Sequence, residues 1–327
     1  MIIVTGGAGF IGSAIIAALN KRHIYDILVV DELGTDQKWK NLRNLSFADY
    51  IEKDDFLEMV IEDKLNSPLE AVFHLGACSD TTETNASYLI KNNYEYSKLL
   101  ARWATADNIR FIYASSAATY GEAEAGFSDN QENIDILKPL NIYGYSKHLF
   151  DLWASRAGLL KNIAGLKYFN VFGPNEYHKA DMRSFVAKAF EQIKATGKVR
   201  LFKSYKPEYA DGEQLRDFIY VKDAVEMTLF FYDNPQIGGL FNIGTGKARS
   251  WNDLVKAVFT AMDKKPDIEY IEMHESLRSQ YQYFTEADMT SLRKSGYNKE
   301  STSLEDAVKD YVQNYLQTNR YLNGVVK

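Results

Sequence analysis

Short apolar runs rich in isoleucine, valine and phenylalanine recur through the first half of the chain, each followed by a stretch with helical character. The runs are IIVTG, DILVVD, EAVFHLGA, RFIYASS and IAGLKYFN. Strands alternating with helices predict parallel pairing through right-handed crossovers, and so an α/β fold built on a doubly wound parallel sheet of Rossmann type. That pattern holds to about Asn170. Beyond it the order loosens: a polar helix is expected near residues 182–196, then a long loop, FKSYKPEYADGEQLRDF, before the apolar pieces FIYV and LFNIGTG return. A helix after Ser250, a strand near 268–271 and a last helix after Ser303 complete the expectation. The predicted division is a dinucleotide-binding domain over residues 1–169, rejoined by 217–246, and a smaller α/β substrate lobe from 170–216 and 247–327, with the cleft between them as the site.

Composition narrows the function classes. The 327 residues are 46% hydrophobic and 25% charged, enough for a substantial core, and the formal charge of −6 argues against a polyanion-binding surface. A nucleic-acid partner is therefore not expected. One cysteine, Cys78, permits no intrachain disulfide, and no run of about 18 apolar residues suggests a membrane span. The first residues enter an apolar strand directly, with no basic leader, so the expected location is cytoplasmic. No Cys/His spacing suggests a metal.

TGGAGFIG follows the first strand and opens the helix IGSAIIAALNKR. Gly7, Gly9 and Gly12 fit G-x-G-x-x-G, and Gly6, Gly9 and Gly12 fit G-x-x-G-x-x-G. Such a loop needs a tight turn, a backbone that can approach a pyrophosphate, and a helix N-terminus facing the anion. Asp31 ends the second strand 19 residues after Gly12, where a carboxylate would reach the adenosine ribose. It favours a 2′-hydroxyl, hence NAD; Lys38 and Lys53, further on, are placed to meet the 2′-phosphate of NADP.

Two near copies of one motif follow: NNYEYSK at 92–98 and NIYGYSK at 141–147. Both set a tyrosine four residues before a lysine, on one face of a helix. A tyrosine that oxidises an alcohol must lose its proton about three units below its ordinary value, which corresponds to about 4 kcal/mol. A lysine in open water supplies only about 1 kcal/mol at contact, so the site must be partly buried. Context distinguishes the copies. Tyr94 and Lys98 lie on a crossover helix packed on the sheet, whereas Tyr143 and Lys147 follow RFIYASSAATYG, whose end delivers Ser115 and Ser116 to the crevice.

These segments, with HLGACS, YFNVFGP, LRDFIYVKDAV and FNIGTG in order, resemble the extended short-chain dehydrogenase/reductase superfamily. YFNVFGPNEYHK, KPLNIYGYSK and YQYFTEADMTSLRKSGY narrow the resemblance to nucleotide-sugar epimerases acting on ADP-heptose, a precursor of the lipopolysaccharide inner core, and extend it over nearly the whole chain. The resemblance implies Tyr143 as the catalytic tyrosine, Lys147 as its partner on the cofactor ribose, Ser116 as the serine holding the substrate hydroxyl, and Lys179 as a second acid/base. It implies a cofactor surface of Gly6, Gly9, Phe10, Ile11, Gly12, Asp31, Glu32, Lys38, Lys53, the segment Leu75, Gly76, Ala77, Cys78 and Ser79, then Asn92, Lys147, Val171 and Lys179. Substrate contacts fall on Ser116, Asn170, Asp181, Lys188, Leu201, Phe202, Lys203, Ser204, Arg216 and Tyr281.

The cofactor implied is NADP, with NAD the alternative that Asp31 favours, and the implied assembly is a homo-oligomer, a pentamer. The chain departs from the pattern at Glu32, at Leu75 (for glutamate), at Lys167 (for arginine) and at Lys188 (for histidine). It also departs at Asp181, which could pair with Lys179. Arg216 has a plainer reading as an ion pair with Asp217. A UDP-sugar 4-epimerase or a non-catalytic NADP-binding scaffold would share most of these features. A dehydratase would not, because SSAATYG offers no carboxylate before Glu122.

Overall fold

A computed structural model describes residues 1–324 apart from Asn66, Ala125, Ser279 and Gln280; the last three positions of the expected C-terminal lobe, 325–327, lie outside the described residues. Seven parallel strands form the main sheet: β1 (Ile2–Thr5), β2 (Ile27–Asp31), β3 (Asp49–Glu52), β4 (Ala71–His74), β5 (Arg110–Ser116), β6 (Ala164–Tyr168) and, after a long excursion, β10 (Gly239–Ile243). Their spatial order is β10-β6-β5-β4-β1-β2-β3. β1, β2, β4, β6 and β10 are buried along their whole length, which is why they read as unbroken apolar runs rather than as alternating ones. The doubly wound expectation holds. The order reverses beside β1, and the loops that leave the paired C-terminal ends of β1 and β4 line the crevice there.

The remaining strands build two small sheets. β7 (Asn170–Phe172), β9 (Leu215–Tyr220) and β11 (Ala248–Ser250) form one, in the order β11-β9-β7, and β8 (Val199–Phe202) pairs in parallel with β12 (Ile268–Ile271). The segment read as one long loop, FKSYKPEYADGEQLRDF, therefore begins at the end of β8 and finishes inside β9; four- and six-residue strands with polar outer positions gave no clear period. Of the 217–246 stretch, β10 joins the main sheet while β9 belongs to the smaller one.

Helices cover both faces: α1 (Phe10–Lys21), α2 (Lys53–Ile61), α3 (Ala86–Leu89), α4 (Tyr96–Ala106), α5 (Ile142–Arg156), α6 (Phe185–Thr196), α7 (Val221–Asp233) and α8 (Trp251–Ala261). One core cluster lies between the sheet and α1, α7 and the C-terminal helices. A second, under α4 and α5, includes Ile3, Val30, Phe111 and Phe150. Between α3 and α4 the chain passes through a wide π turn, Ile90–Glu95. Among the described residues no helix is long and apolar enough to cross a membrane.

Candidate active site

The glycine loop is built for close approach. Gly6 has φ +67, and a Cβ on Gly12 would stand 2.2 Å from the Gly6 carbonyl oxygen. Helix α1 starts after Gly9 with no side-chain cap and no acidic residue in its first turn, so its N-terminal N–H groups are left for an anion. Asp31 holds this turn from below: Oδ2 accepts from Ala8 N at 2.9 Å, and Oδ1 accepts from Glu32 N at 2.8 Å and Lys38 Nζ at 2.9 Å. Lys53 reaches Glu32 at 3.4 Å and Asp54 at 2.9 Å. Two lysines and three carboxylates thus crowd the region beside the end of β2, and the Asp31 carboxylate is committed to the protein. A pyrophosphate-bearing dinucleotide fits this cradle.

A cleft of about 800 Å³ runs from the glycine loop to α6 and α8. It is lined by Gly6, Gly9, Phe10, Ile11, Gly12, Asp31, Lys38, the Leu75–Ser79 segment, Ser116, Tyr143, Lys147, Asn170, Val171, Lys179 and Lys188, which the sequence singled out, and by Trp251, Phe218 and Arg183, which it did not. Glu32 and Lys53 stand beside it, Glu32 through its N–H to Asp31 and Lys53 through Glu32.

Asn141 caps α5 by accepting from Gly144 N at 2.8 Å, and so starts the helix at Ile142, one residue before Tyr143. Burial raises the Tyr143 phenol and the Ser116 hydrogen bond lowers it; the net direction is upward, so the free protein holds it protonated. One turn on, Lys147 is 6% exposed and donates to the Ala114 carbonyl at 2.9 Å. Burial pushes its ammonium down to about 8, against an opposing pull from Asp151.

Ser115 and Ser116 diverge as strand neighbours must. The Ser116 hydroxyl accepts from Ala118 N and faces Tyr143, whereas Ser115 donates to Asp151 at 2.7 Å and is consumed there. Asp151 also accepts from Tyr113 at 2.9 Å and from Lys167 at 3.0 Å, with both members of the ion pair buried.

The decoy pair resolves differently. Lys98 Nζ lies 4.6 Å from the Tyr94 ring centroid and 5.6 Å from that of Trp153 on α5, a cation–π packing contact away from the cleft. Asn92 donates to the Tyr88 carbonyl and does not line the cleft. Its neighbour Asn93, 1% exposed, is the inward residue: it accepts from Cys78 N and donates to Cys78 O, both at 2.9 Å, and donates to Ser146 at 3.0 Å. Ser146 in turn donates to the Tyr143 carbonyl at 2.7 Å. Behind this clamp His74 bridges Thr5 at 2.7 Å and Ser97 at 2.8 Å, and burial, helped by the Lys147 charge, drives its pKa to about 3. A neutral imidazole with its proton on Nε2 closes the chain from Gly76 N through Thr5, His74 and Ser97 to the Asn93 carbonyl. Neither Asn93 nor His74 was identified from sequence as fixing the loop that carries Cys78.

Lys179 comes from the loop after β7. Its ammonium stands 5.7 Å from the Phe10 ring, and burial lowers its pKa against the pull of Glu176. The suggested partner Asp181 is exposed, and the carboxylate acting on Lys179 is Glu176, which a turn of the chain brings closer. Arg216 does not pair with Asp217 either. Its guanidinium lies between Trp251 and Tyr281, at 5.7 and 5.3 Å, and donates to the carbonyls of Leu215 and Gln282. Asp217 instead accepts from Thr245, Gly246 and Ala287. Phe202 meets Tyr281 edge-on, Lys203 pairs with Glu272, Ser204 N donates to Asp211, and Leu201 is buried in the core. These form a second, aromatic group, joined to the cleft through Trp251. Among the described residues no cluster of His, Cys, Asp or Glu could hold a metal ion.

A dinucleotide cradle at a sheet switch point, with tyrosine, serine and lysine beside it, is a nucleotide-dependent oxidoreductase arrangement, and residues 2–244 match the NAD dependent epimerase/dehydratase family. The chain belongs to that family. It is 57% identical over 316 residues to an ADP-L-glycero-D-manno-heptose-6-epimerase of Nitratidesulfovibrio vulgaris, covering 97% of this chain and 98% of that one. Another protein of that name, from Fusobacterium nucleatum, is 51% identical with the same coverage. Among solved structures, the Helicobacter pylori ADP-L-glycero-D-manno-heptose-6-epimerase superposes with a TM-score of 0.81 at 29% identity, over 96% of this chain and 95% of that one. A UDP-N-acetylglucosamine 4-epimerase of Methanobrevibacter ruminantium has a TM-score of 0.82 at 24% identity, over 97% and 98%, a likeness of fold.

Proposed function

We propose that this protein is an isomerase that inverts C6 of ADP-D-glycero-D-manno-heptose to give ADP-L-glycero-D-manno-heptose, with NADP held in the glycine-loop cradle. The observation that carries the reading is a single cleft into which separate elements bring two proton-handling groups, Tyr143 with Ser116 from one and Lys179 from another. The full-length likeness to proteins of that name supports it.

An unactivated secondary carbinol has no acidic C–H bond. The nicotinamide ring, when bound, supplies a place for that hydrogen to go as hydride and to return from. The chain's own residues then handle the proton and the geometry. Tyr143 must first lose its own proton to solvent, a loss that the dinucleotide's positive charge and Lys147, buried one turn away, would favour; the tyrosinate then removes the hydroxyl proton while Ser116 donates to the reacting oxygen. Inversion requires the resulting ketone to turn, which moves its oxygen. Lys179 serves the second position, and burial lowers its pKa, which makes the ammonium readier to release its proton. Asn170, open to the cleft, and Lys188 on α6 would contact the heptose, and Arg216 with Tyr281 the ADP end.

NADP is preferred because Lys38 and Lys53 stand at the end of β2, where a 2′-phosphate would draw them from their present partners Asp31, Glu32 and Asp54. Purified protein incubated with ADP-D-glycero-D-manno-heptose and, separately, UDP-galactose, followed by NMR, tests the proposal. Conversion of the heptose alone is expected; conversion of UDP-galactose alone would replace it with a 4-epimerase.

A further inference from the structure

We propose that Asn175 is a positioning residue for Lys179, acting as the joint that sets the lysine's loop against the cofactor side of the cleft. The inference rests on the reading of Lys179 as a proton carrier. Asn175 is wholly buried and has φ +79, a left-handed backbone that asparagine tolerates better than most residues.

Three separate parts of the chain converge on Asn175. Its Nδ2 donates to Ser13 Oγ on α1 at 2.9 Å, its Oδ1 accepts from Leu322 N at 2.9 Å, and its carbonyl accepts from Asn41 Nδ2 at 3.0 Å. Asn41, 1% exposed, also donates to the Ala8 carbonyl of the glycine loop at 2.9 Å and lies 3.3 Å from His178 Nδ1. Burial lowers the His178 pKa to about 4, so a neutral ring stands beside this amide, whose two hydrogens go to the Asn175 and Ala8 carbonyls.

These contacts close a ring. Ser13 donates to the Phe10 carbonyl at 3.1 Å, and the Phe10 ring is what Lys179 stands over. From Asn175 the chain needs four residues to reach Lys179, whose N–H donates to the Glu176 carbonyl at 3.0 Å. The far side of the loop is anchored where Glu176 accepts from the Ser184 hydroxyl at 2.6 Å and from its N–H. From outside, the segment 320–324 lies across the loop: Tyr177 donates to the Arg320 carbonyl at 2.8 Å, Tyr177 and Tyr321 stack edge to face at 5.0 Å, and Gly324 N donates to Asn44 O at 3.1 Å. A side chain with both polar ends and its carbonyl engaged, at the meeting point of the glycine-loop helix, the Asn41 segment and this strap, fixes where Lys179 sits.

The test is a double-mutant cycle on turnover with Asn175→Gly and Lys179→Met, read beside the dinucleotide dissociation constant and the melting curve. Glycine keeps the left-handed backbone and removes only the side-chain bonds. Asn175→Gly is expected to lower kcat by about 10- to 100-fold, the scale of a misplaced catalytic group, with dinucleotide affinity within about twofold of wild type. In the Lys179→Met background it should have no further effect on kcat. Equal losses in both backgrounds, or unchanged turnover in Asn175→Gly, would overturn the inference while leaving Lys179's role intact; wild-type turnover in Lys179→Met would remove that role and the inference with it. Ser13→Ala, which deletes one leg of the joint from outside the loop, must show the same coupling and decides the matter if Asn175→Gly does not fold.

Discussion

The Lys147 ammonium donates to the Ala114 carbonyl at 2.9 Å, inside the end of β5 and one helical turn from Tyr143. This places a cation in a buried position where its charge is useful to a tyrosinate and unfavourable to the free fold. Burial lowers the folded pKa to about 8 from an ordinary 10.5, so between those values the unfolded chain holds the extra proton and stability rises with pH. Relative to Lys147→Met, the wild type should therefore gain up to ~1.4 kcal/mol per pH unit between about pH 8 and 10 in unfolding experiments. A constant difference would show that the ammonium is not penalised. Turnover of the variant should fall by orders of magnitude.

The Lys167–Asp151 pair should behave as a unit. Lys167→Met leaves the Asp151 carboxylate buried with only the Tyr113 and Ser115 hydroxyls, and a loss of about 3–5 kcal/mol is expected from urea unfolding. Lys167→Met combined with Asp151→Leu should recover much of it, because neither member of the pair is then left as an uncompensated charge. A double variant as unstable as the sum of its singles would contradict this.

His74 predicts an acid sensitivity. The unfolded imidazole takes a proton below about 6.5, whereas the folded one stays neutral to about 3. Its contribution is therefore complete above pH 6.5 and is lost as pH falls, by up to ~1.4 kcal/mol per unit. His178 and the buried His148 shift in the same direction, so the measurement is a difference: His74→Gln should have a flatter stability profile than wild type between pH 7 and 5. Parallel profiles would rule it out.

Cofactor choice is testable at Lys38 and Lys53. Each alanine substitution should weaken NADP binding on the order of tenfold and leave NAD binding nearly unchanged, as titrations with both dinucleotides would report. Equal weakening of both would assign the lysines to the turn rather than to a phosphate.

Much of this was legible in the chain. Buried strands announce themselves as unbroken apolar runs, and the glycine loop carries its own steric signature, so the main sheet and its cradle could be read directly. The choice of Tyr143 over Tyr94 followed from the serine strand before it. What escaped reading depended on geometry that spacing does not encode. The π turn at Ile90–Glu95 shifts the helical register, and Asn93 rather than Asn92 turns inward. Asn175 lies within the YFNVFGPNEYHK segment, but its partners Ser13, Asn41 and Leu322 are distant in sequence. Arg216 reads from sequence as a substrate contact with an Asp217 ion pair as the plainer alternative, and that alternative fails because β9 sends the two side chains to opposite faces.

The proposed carbinol inversion proceeds by hydrogen removal and return within one cleft, with Tyr143 and Lys179 handling only the hydroxyl proton. Conversion of ADP-D-glycero-D-manno-heptose in D₂O, followed by NMR at C6, tests it most directly. The account predicts the inverted product with its original hydrogen still on C6 and no deuterium there. Deuterium at C6, or no inversion at all by protein that binds the dinucleotide, would contradict it.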